Sequence, residues 1–263
     1  MWGDAATEYA NCCGHVTGLI RQYARRPVGT LLDIGCGGGK NVQNLKREFD
    51  VTGLDLSPAM LAQAKELNPG CTFVEDDMRT CRLGRTFDAV LLDDAISHMN
   101  CRTDFAAALR TAHAHLNPGG VLVVTPDVMI ETFQQNKTTT TSATRDGMDV
   151  VFVENLYDRD PTDEQYETTI LYLIRKQGCL RIETDHWTMG VFSLDTWGQD
   201  LPGSRDGAGG VGGLLSMTRA DGVDYGYFYD ANGNVTQVVR LTDGQVSANY
   251  KYDPFGKIGR AHV

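Results

Sequence analysis

The stretch LLDIGCGGGKN, residues 31–41, decides how this chain folds. Apolar residues lead into Asp33, four glycines follow (Gly35, Gly37, Gly38, Gly39), and Lys40-Asn41-Val42 opens a helical pattern. This is a buried strand, a tight loop and a helix N-terminus. Glycine in such a loop lets a ligand lie directly on backbone. The free N–H groups of a helix start favour polar or anionic groups. A second buried-strand pattern, VTGLDLS at residues 51–57, ends in Asp55. A carboxylate at the end of the second strand is where a nucleotide ribose is held by its hydroxyls.

Taken together, D-x-G-x-G-x-G at residues 33–39 and G-L-D-L-S at residues 53–57 resemble the class I S-adenosylmethionine-dependent methyltransferases. Three further blocks match in the right order: FVEDDMR (73–79), FDAVLLDDAISHM (87–99) and LNPGGVLVVTPD (116–127). The loop alone would also fit NAD enzymes, whereas the L-N-P-G-G-V-L-V-V turn and strand are far more typical of methyltransferases. The resemblance covers residues 17–201 and implies S-adenosylmethionine as cofactor. It places Gly35, Cys36, Gly37 and Gly39 against the cofactor. Asp33 would hold the loop and reach the methionine amino group, and Asp55 would take both ribose hydroxyls. Leu56 would pack on adenine, and Asp77 with Met78 would form the adenine-contact pair. Asp76 competes with Asp77, since the DD dipeptide leaves the register open by one. Asp93 would lie near the methionine portion, and Tyr9 would be an aromatic residue closing over that end.

The chain has 263 residues, 41% of them apolar, enough to bury a core in one large domain or two. Its formal charge of −10 speaks against nucleic acid as a partner, because phosphate binding wants a basic face. Seven cysteines without C-x-x-C spacing imply neither a disulfide framework nor a zinc site, and suit a reducing compartment. His113 and His115, two apart on a helix, point to different faces, so no metal is expected. No apolar run is long enough to span a bilayer and no signal peptide is evident. A cytoplasmic protein without a membrane partner is the expectation.

Short apolar strands alternating with helical patterns predict an α/β, Rossmann-like parallel sheet with helices on both faces. The helices are expected at residues 16–26, 42–49, 60–67 and 105–116, with Ser57-Pro58 as a helix start. The strands are expected at 31–34, 50–54, 72–75, 87–92 and 121–125. Ligands then sit at the strands' carboxyl ends, where Asp33, Asp55, Asp77 and Asp93 converge. After Pro126 the rhythm changes. Residues 134–147 read as a polar, mobile loop. Residues 149–157, 165–175 and 179–192 read as longer strands of an inserted antiparallel sheet, and in similar small-molecule and sugar N-methyltransferases an insertion here roofs the substrate pocket. A short helix is expected at 195–201. The two strands that finish the family's sheet are missing, which leaves strand five as an unpaired edge.

Residues 202–213 are a Gly/Ser/Asp-rich linker. Beyond it, YFYDANGNVTQVV (227–239) and YKYDPFGKI (250–258) share Tyr-x-Tyr-Asp and resemble the YD repeat of RHS proteins, with Asn232-Gly233 as a hairpin turn. Two repeats cannot stack into a shell, so residues 214–257 are expected to be a fragment without shell function, forming a small β-hairpin segment. The final IGRAHV, residues 258–263, matches one reading of the start of a common sequencing adapter, so an adapter-derived tail is the expectation there, with a genuine fusion as the alternative.

Methyl transfer from a sulfonium rests on placing a nucleophile in line. A base helps if the acceptor is a hydroxyl or an ammonium group. The candidates are His98, just after strand four, and His186 in the inserted sheet. Two functions remain open at this point. One is methyl transfer to N or O of a small-molecule acceptor. The other is a non-catalytic RHS fragment carrying a degenerate nucleotide fold. Asp94-Ala95-Ile96-Ser97 stands where base and glutamine N-methylating enzymes carry N/D-P-P-Y/F, which speaks against those substrates.

Overall fold

Apolar side chains on both faces of each short strand build the central layer. The computed structural model describes residues 5–193 and five strands between residues 216 and 262, with side chains for residues 9–193. β1 (Thr30–Ile34), β2 (Asp50–Asp55), β3 (Thr72–Glu75), β4 (Phe87–Asp93) and β5 (Leu116–Thr125) form one parallel sheet in the order β3-β2-β1-β4-β5. Leu31, Ala89, Leu91, Val121 and Val123 face one side. There they meet Val16 and Ile20 of α1 (Ala5–Tyr23), Val42 and Leu45 of α2 (Lys40–Leu45) and Leu61 of α3 (Pro58–Leu67). Leu32, Ile34, Val90, Leu92 and Val124 face the other side, against Phe105, Ala108 and Ala112 of α4 (Arg102–Ala114). Each Val, Leu, Ile or Phe among them contributes roughly 1.5–3 kcal/mol when buried, so stability concentrates in a sheet covered on both faces.

Several boundaries differ from expectation. α1 starts well before residue 16, because Cys13 extends the Val16 and Ile20 stripe back by a turn and is itself buried. α2 stops at Leu45, and Phe49 enters the core from the turn that follows. Ser57 caps α3 as expected, its hydroxyl accepting from the Met60 N–H at 3.3 Å. The Asn117-Pro118-Gly119-Gly120 turn lies inside β5 as a bulge. Phe87 pairs with Leu116 and Ala89 with Val121, and the residues between loop over Asp88. The Asp88 carboxylate holds this corner, accepting from the Gly29 and Thr30 N–H groups at 3.1 Å and from Asn117 Nδ2 at 2.9 Å.

The polar stretch at 134–147 is not a loop. Its residues Lys137–Arg145 form β6, paired antiparallel along its full length with β7 (Met148–Tyr157). Threonine is β-branched and suits a pleated strand even with both faces wet. Asp146 and Gly147 take φ of 52° and 72°, the two positive values that a tight two-residue hairpin needs. β8 (Gln165–Lys176) and β9 (Cys179–Gly190) complete a sheet in the order β6-β7-β8-β9. This sheet is fastened to the parallel domain. Phe192 lies with its ring centroid 4.5 Å from that of Phe105, and Arg102 pairs with Glu164.

β5 is the last strand of the parallel sheet among the described residues. β10 (Ser216–Thr218), β11 (Asp224–Tyr229), β12 (Val235–Arg240), β13 (Val246–Tyr252) and β14 (Ile258–His262) form a separate antiparallel sheet in chain order, larger than the expected hairpin. The last residues are part of it, with Ala261 opposite Tyr250. The short helix expected at 195–201, the linker at 202–213 and the Asn232-Gly233 turn lie outside the described residues. No helix among the described residues is long and apolar enough to cross a membrane.

Candidate active site

β1, β2 and β4 carry Asp33, Asp55 and Asp93 to the carboxyl edge of the sheet, and a cavity of about 1170 Å³ opens at that edge. Gly35 and Gly37 line it, as do Asp55, Leu56, Asp76, Asp77, Met78, Asp93 and His98. The loop is held from below and from the side. The Gly35 and Cys36 N–H groups donate to the Leu54 carbonyl at 2.7 and 3.0 Å. The two oxygens of Asp55 accept from the N–H groups of Gly37 and Ser57, each at 2.8 Å. Asp55 thus joins the glycine loop to the start of α3 while facing the cavity.

Not every glycine of the loop meets the cavity. Gly39 caps α2 with φ 78°, and a Cβ there would lie 2.6 Å from Asn68 Nδ2. It serves the packing of α2 on α3 and does not line the cavity. Cys36 also points away. It is buried, and a Cβ on Gly53 would lie 2.7 Å from its Sγ. Burial pushes its thiol well above the ordinary range.

Leu56 is 65% exposed and lies on the cavity wall, an apolar side chain free to take a flat partner. Both carboxylates of the Asp76-Asp77 pair line the cavity. Asp77 is engaged by Arg79, whose Nε lies 3.0 Å from each of its oxygens and whose Nη1 reaches Asp104 at 2.7 Å. That guanidinium holds the Asp77 carboxyl below the usual range. Asp76 instead accepts from the Asp77 N–H at 2.7 Å.

Asp33 is sealed behind the loop, 1% exposed, and its Oδ2 has no hydrogen-bond partner. Burial first, then the nearby charges of Asp93 and Asp55, push its pKa up to about 8. Asp93 is fixed by Asn41 Nδ2 at 2.7 Å and by the Thr125 hydroxyl. The sign of the pH effect follows. A carboxyl raised from 3.8 to about 8 on folding stabilises the native state fully below pH 3.8, and that stability is lost as pH climbs towards 8. The ligand-free protein is therefore expected to lose several degrees of Tm between about pH 5 and 8. Asp33→Asn should flatten that slope in calorimetric scans. An equal slope in the variant would assign it to other groups.

His98, in the 3-10 turn Ile96–His98, faces the cavity, and its burial among protein atoms lowers its pKa from the ordinary value. His186 does not reach the cavity. It stands opposite Thr169 on the outer face of the inserted sheet, with Nδ1 3.0 Å from the Thr169 hydroxyl and half of the side chain in solvent. Strand alternation explains the miss, because its neighbour Trp187 is the residue that faces in. Tyr9 lies on α1 and is not among the cavity residues. The cavity also takes in residues that the sequence did not single out: Asp94, Asp127, Lys137, Glu154, Tyr166 and Trp187. The register of the antiparallel sheet would have found several of them, since Leu156, Thr168 and Trp187 are mutually opposite and share one face.

Fold and site together define an α/β domain that binds a nucleotide-containing cofactor at the strands' carboxyl ends. A methyltransferase-domain family profile matches residues 31–120. The dTDP-3-amino-3,4,6-trideoxy-alpha-D-glucopyranose N,N-dimethyltransferase of Streptomyces venezuelae is 35% identical over 151 residues, 56% of this chain and 63% of that protein. Among solved structures, the S-adenosylmethionine-bound CalS10, an amino pentose methyltransferase of Micromonospora echinaspora involved in calicheamicin biosynthesis, superposes with TM-score 0.65 at 30% identity, over 72% of this chain and 79% of that one. DesVI of Streptomyces venezuelae superposes with TM-score 0.69 at 25% identity, over 87% and 89%. The chain spans less than two thirds of the length of the first curated relatives it matches. The chain belongs to the class I S-adenosylmethionine-dependent methyltransferases. One feature fits that cofactor: Gly35 lines the cavity, and a Cβ there would crowd its wall at Ala95 and Met78, whereas Asp33, sealed behind the loop, does not line it.

Proposed function

We propose that this chain transfers the methyl group of S-adenosylmethionine to a nitrogen of a small molecule, an amino sugar being the scaffold its relatives suggest. The observation that carries this is a single cavity joining Gly35, Gly37 and Asp55 on one side to the inserted sheet on the other. Asp55 would accept the ribose hydroxyls, and Leu56 would pack on adenine. Asp77, or Asp76 in the alternative register, would accept from the exocyclic amine beside Met78. Asp93 would serve the methionine end, and the sealed Asp33 would hold the loop. Bound S-adenosylmethionine supplies an electrophilic methyl group on a sulfonium, so the task of the protein is to place the acceptor and clear its proton. His98 is the side chain for that second task, neutral above a pKa lower than the ordinary 6.5.

Transfer of tritiated methyl from S-adenosylmethionine to methyl 3-amino-3-deoxyglucoside, with methyl glucoside as the hydroxyl control, tests this reading. Label on the amine alone supports it, and label on the hydroxyl alone overturns it. In the same assay His98→Gln should lower kcat by about 10- to 100-fold. It should also remove the acid limb of the pH profile, where activity rises with pH as the imidazole loses its proton. Unchanged kcat with the limb intact would strip His98 of this role. The C-terminal strands are read as a fragment of YD repeats joined to the methyltransferase domain. Their antiparallel pairing in chain order supports that reading.

A further inference from the structure

The roof of the cavity is a strip of one sheet face. Leu156 on β7, Thr168 on β8 and Trp187 on β9 stand directly opposite one another, and all three line the cavity. Ile170 and Met189, two residues along their strands from Thr168 and Trp187, share that face and line it too. These two are packed down, at 5% and 7% exposed, whereas Trp187 keeps 40% of its surface uncovered. Strand β9 then comes down on the turn that carries His98. A Cβ on Gly190 would lie 2.1 Å from the Met99 carbonyl oxygen, so backbone meets backbone there, and Phe192 seats its ring centroid 4.5 Å from that of Phe105. Three residues of strand, about 10 Å, separate Gly190 from Trp187. The indole and His98 therefore share one frame and one cavity, within reach of a single small ligand.

Resting on the proposed transfer to nitrogen, we infer that Trp187 is the specificity residue of the acceptor side, its indole face carrying the ring of a cyclic amine while His98 meets the nitrogen. An aromatic ring is electron-rich on its face. A pyranose presents C–H groups on its faces, and a flat indole covers such a face while the hydroxyls around the rim stay free for polar partners. Pockets that hold small ligands combine apolar and aromatic walls of this kind with a few polar groups that fix orientation. A ring is also rigid before it binds, whereas an open chain with the same amine must be ordered first. The site is thereby expected to select the scaffold that bears the amine as well as the amine itself. His186, next to Trp187 in the chain, takes no part, because alternation turns it to the other face of the sheet.

Calorimetric titration of the full chain saturated with S-adenosylhomocysteine tests this with two probes: methyl 3-amino-3-deoxyglucoside and the open-chain 3-amino-3-deoxyglucitol, which carries its amine among hydroxyls but has no ring. The ring should bind at least about tenfold more tightly than the open chain. Trp187→Ala should weaken the ring about tenfold and leave the open chain within about twofold of the parent, so that the preference disappears. Trp187→Phe should restore most of it. A merely structural role of the indole would weaken both probes alike. Binding of S-adenosylhomocysteine reports whether a variant is folded, and Trp187→Leu, which keeps apolar bulk without an aromatic face, stands in if Trp187→Ala fails that check. Equal binding of the two probes by the parent, or a folded Ala or Leu variant that keeps the parent's preference, would overturn the inference. A ring preference that Trp187 carries, without methyl transfer to either amine, would support the inference and overturn the transfer to nitrogen beneath it.

Discussion

Asp55→Ala is expected to lower affinity for S-adenosylhomocysteine by at least about 100-fold. Its carboxylate already accepts one backbone N–H on each oxygen, from Gly37 and from Ser57. Each oxygen keeps a lone pair directed elsewhere, and the group faces the cavity. Hydrogen bonds to a charged group are worth about 1.5–3 kcal/mol each. Losing two from ribose hydroxyls accounts for two decades or more of affinity. The same substitution frees the glycine loop from the start of α3, so Tm should drop as well. Asp55→Asn separates the two effects, because an amide oxygen can still accept one backbone N–H and hold part of the loop. If Asp55→Asn melts within a few degrees of the parent and still binds far more weakly, ribose recognition is lost rather than the fold. Unchanged affinity in both variants would remove Asp55 from the cofactor site and, with it, the strand-end placement on which the proposed function stands.

The parallel sheet was legible because its strands carry buried residues on both faces, so short apolar runs such as 89–92 and 121–124 stand out from the helices between them. Ser57-Pro58 was legible because capping is local chemistry. β6 was not, because Thr138 to Thr141 carry no apolar alternation, and the informative signal was the Asp146-Gly147 dipeptide between two strand-length segments. The bulge in β5 was hidden for a different reason. Asn117-Pro118-Gly119-Gly120 has turn composition, and only the buried Asp88 carboxylate, far away in sequence, decides that the chain stays in the sheet. Sequence placed Gly35 and Asp55 at the edge where the cavity opens, since consecutive strands bring their ends to one edge, but it did not show that Asp33 would be sealed behind the loop. The acceptor side did not, because it is built by the faces of long strands whose in-or-out sense depends on register. That is why His186 was expected in the site and Trp187 was not.

Gly35→Ala is expected to damage the fold and the cofactor side of the cavity together. Gly35 has φ 77°, where an L side chain costs about 1–2 kcal/mol. A Cβ there would lie 2.2 Å from Ala95 Cβ, which is part of a buried segment and has no rotamer to move away by. Relief requires the loop or the turn after β4 to shift, which adds about 1–3 kcal/mol. Together these should lower Tm by roughly 10 °C. Both displaced segments line the cavity, so cofactor affinity should fall along with stability. Torsion and overlap can be told apart in the double variant Gly35→Ala with Ala95→Gly. It removes the close contact but leaves the backbone cost, and should recover about half of the lost Tm. Full recovery would mean that φ at residue 35 is not strained by a side chain. A single variant melting within about 2 °C of the parent would show that the loop and the turn after β4 do not meet this closely, and the cradle proposed for the cofactor would have to be redrawn.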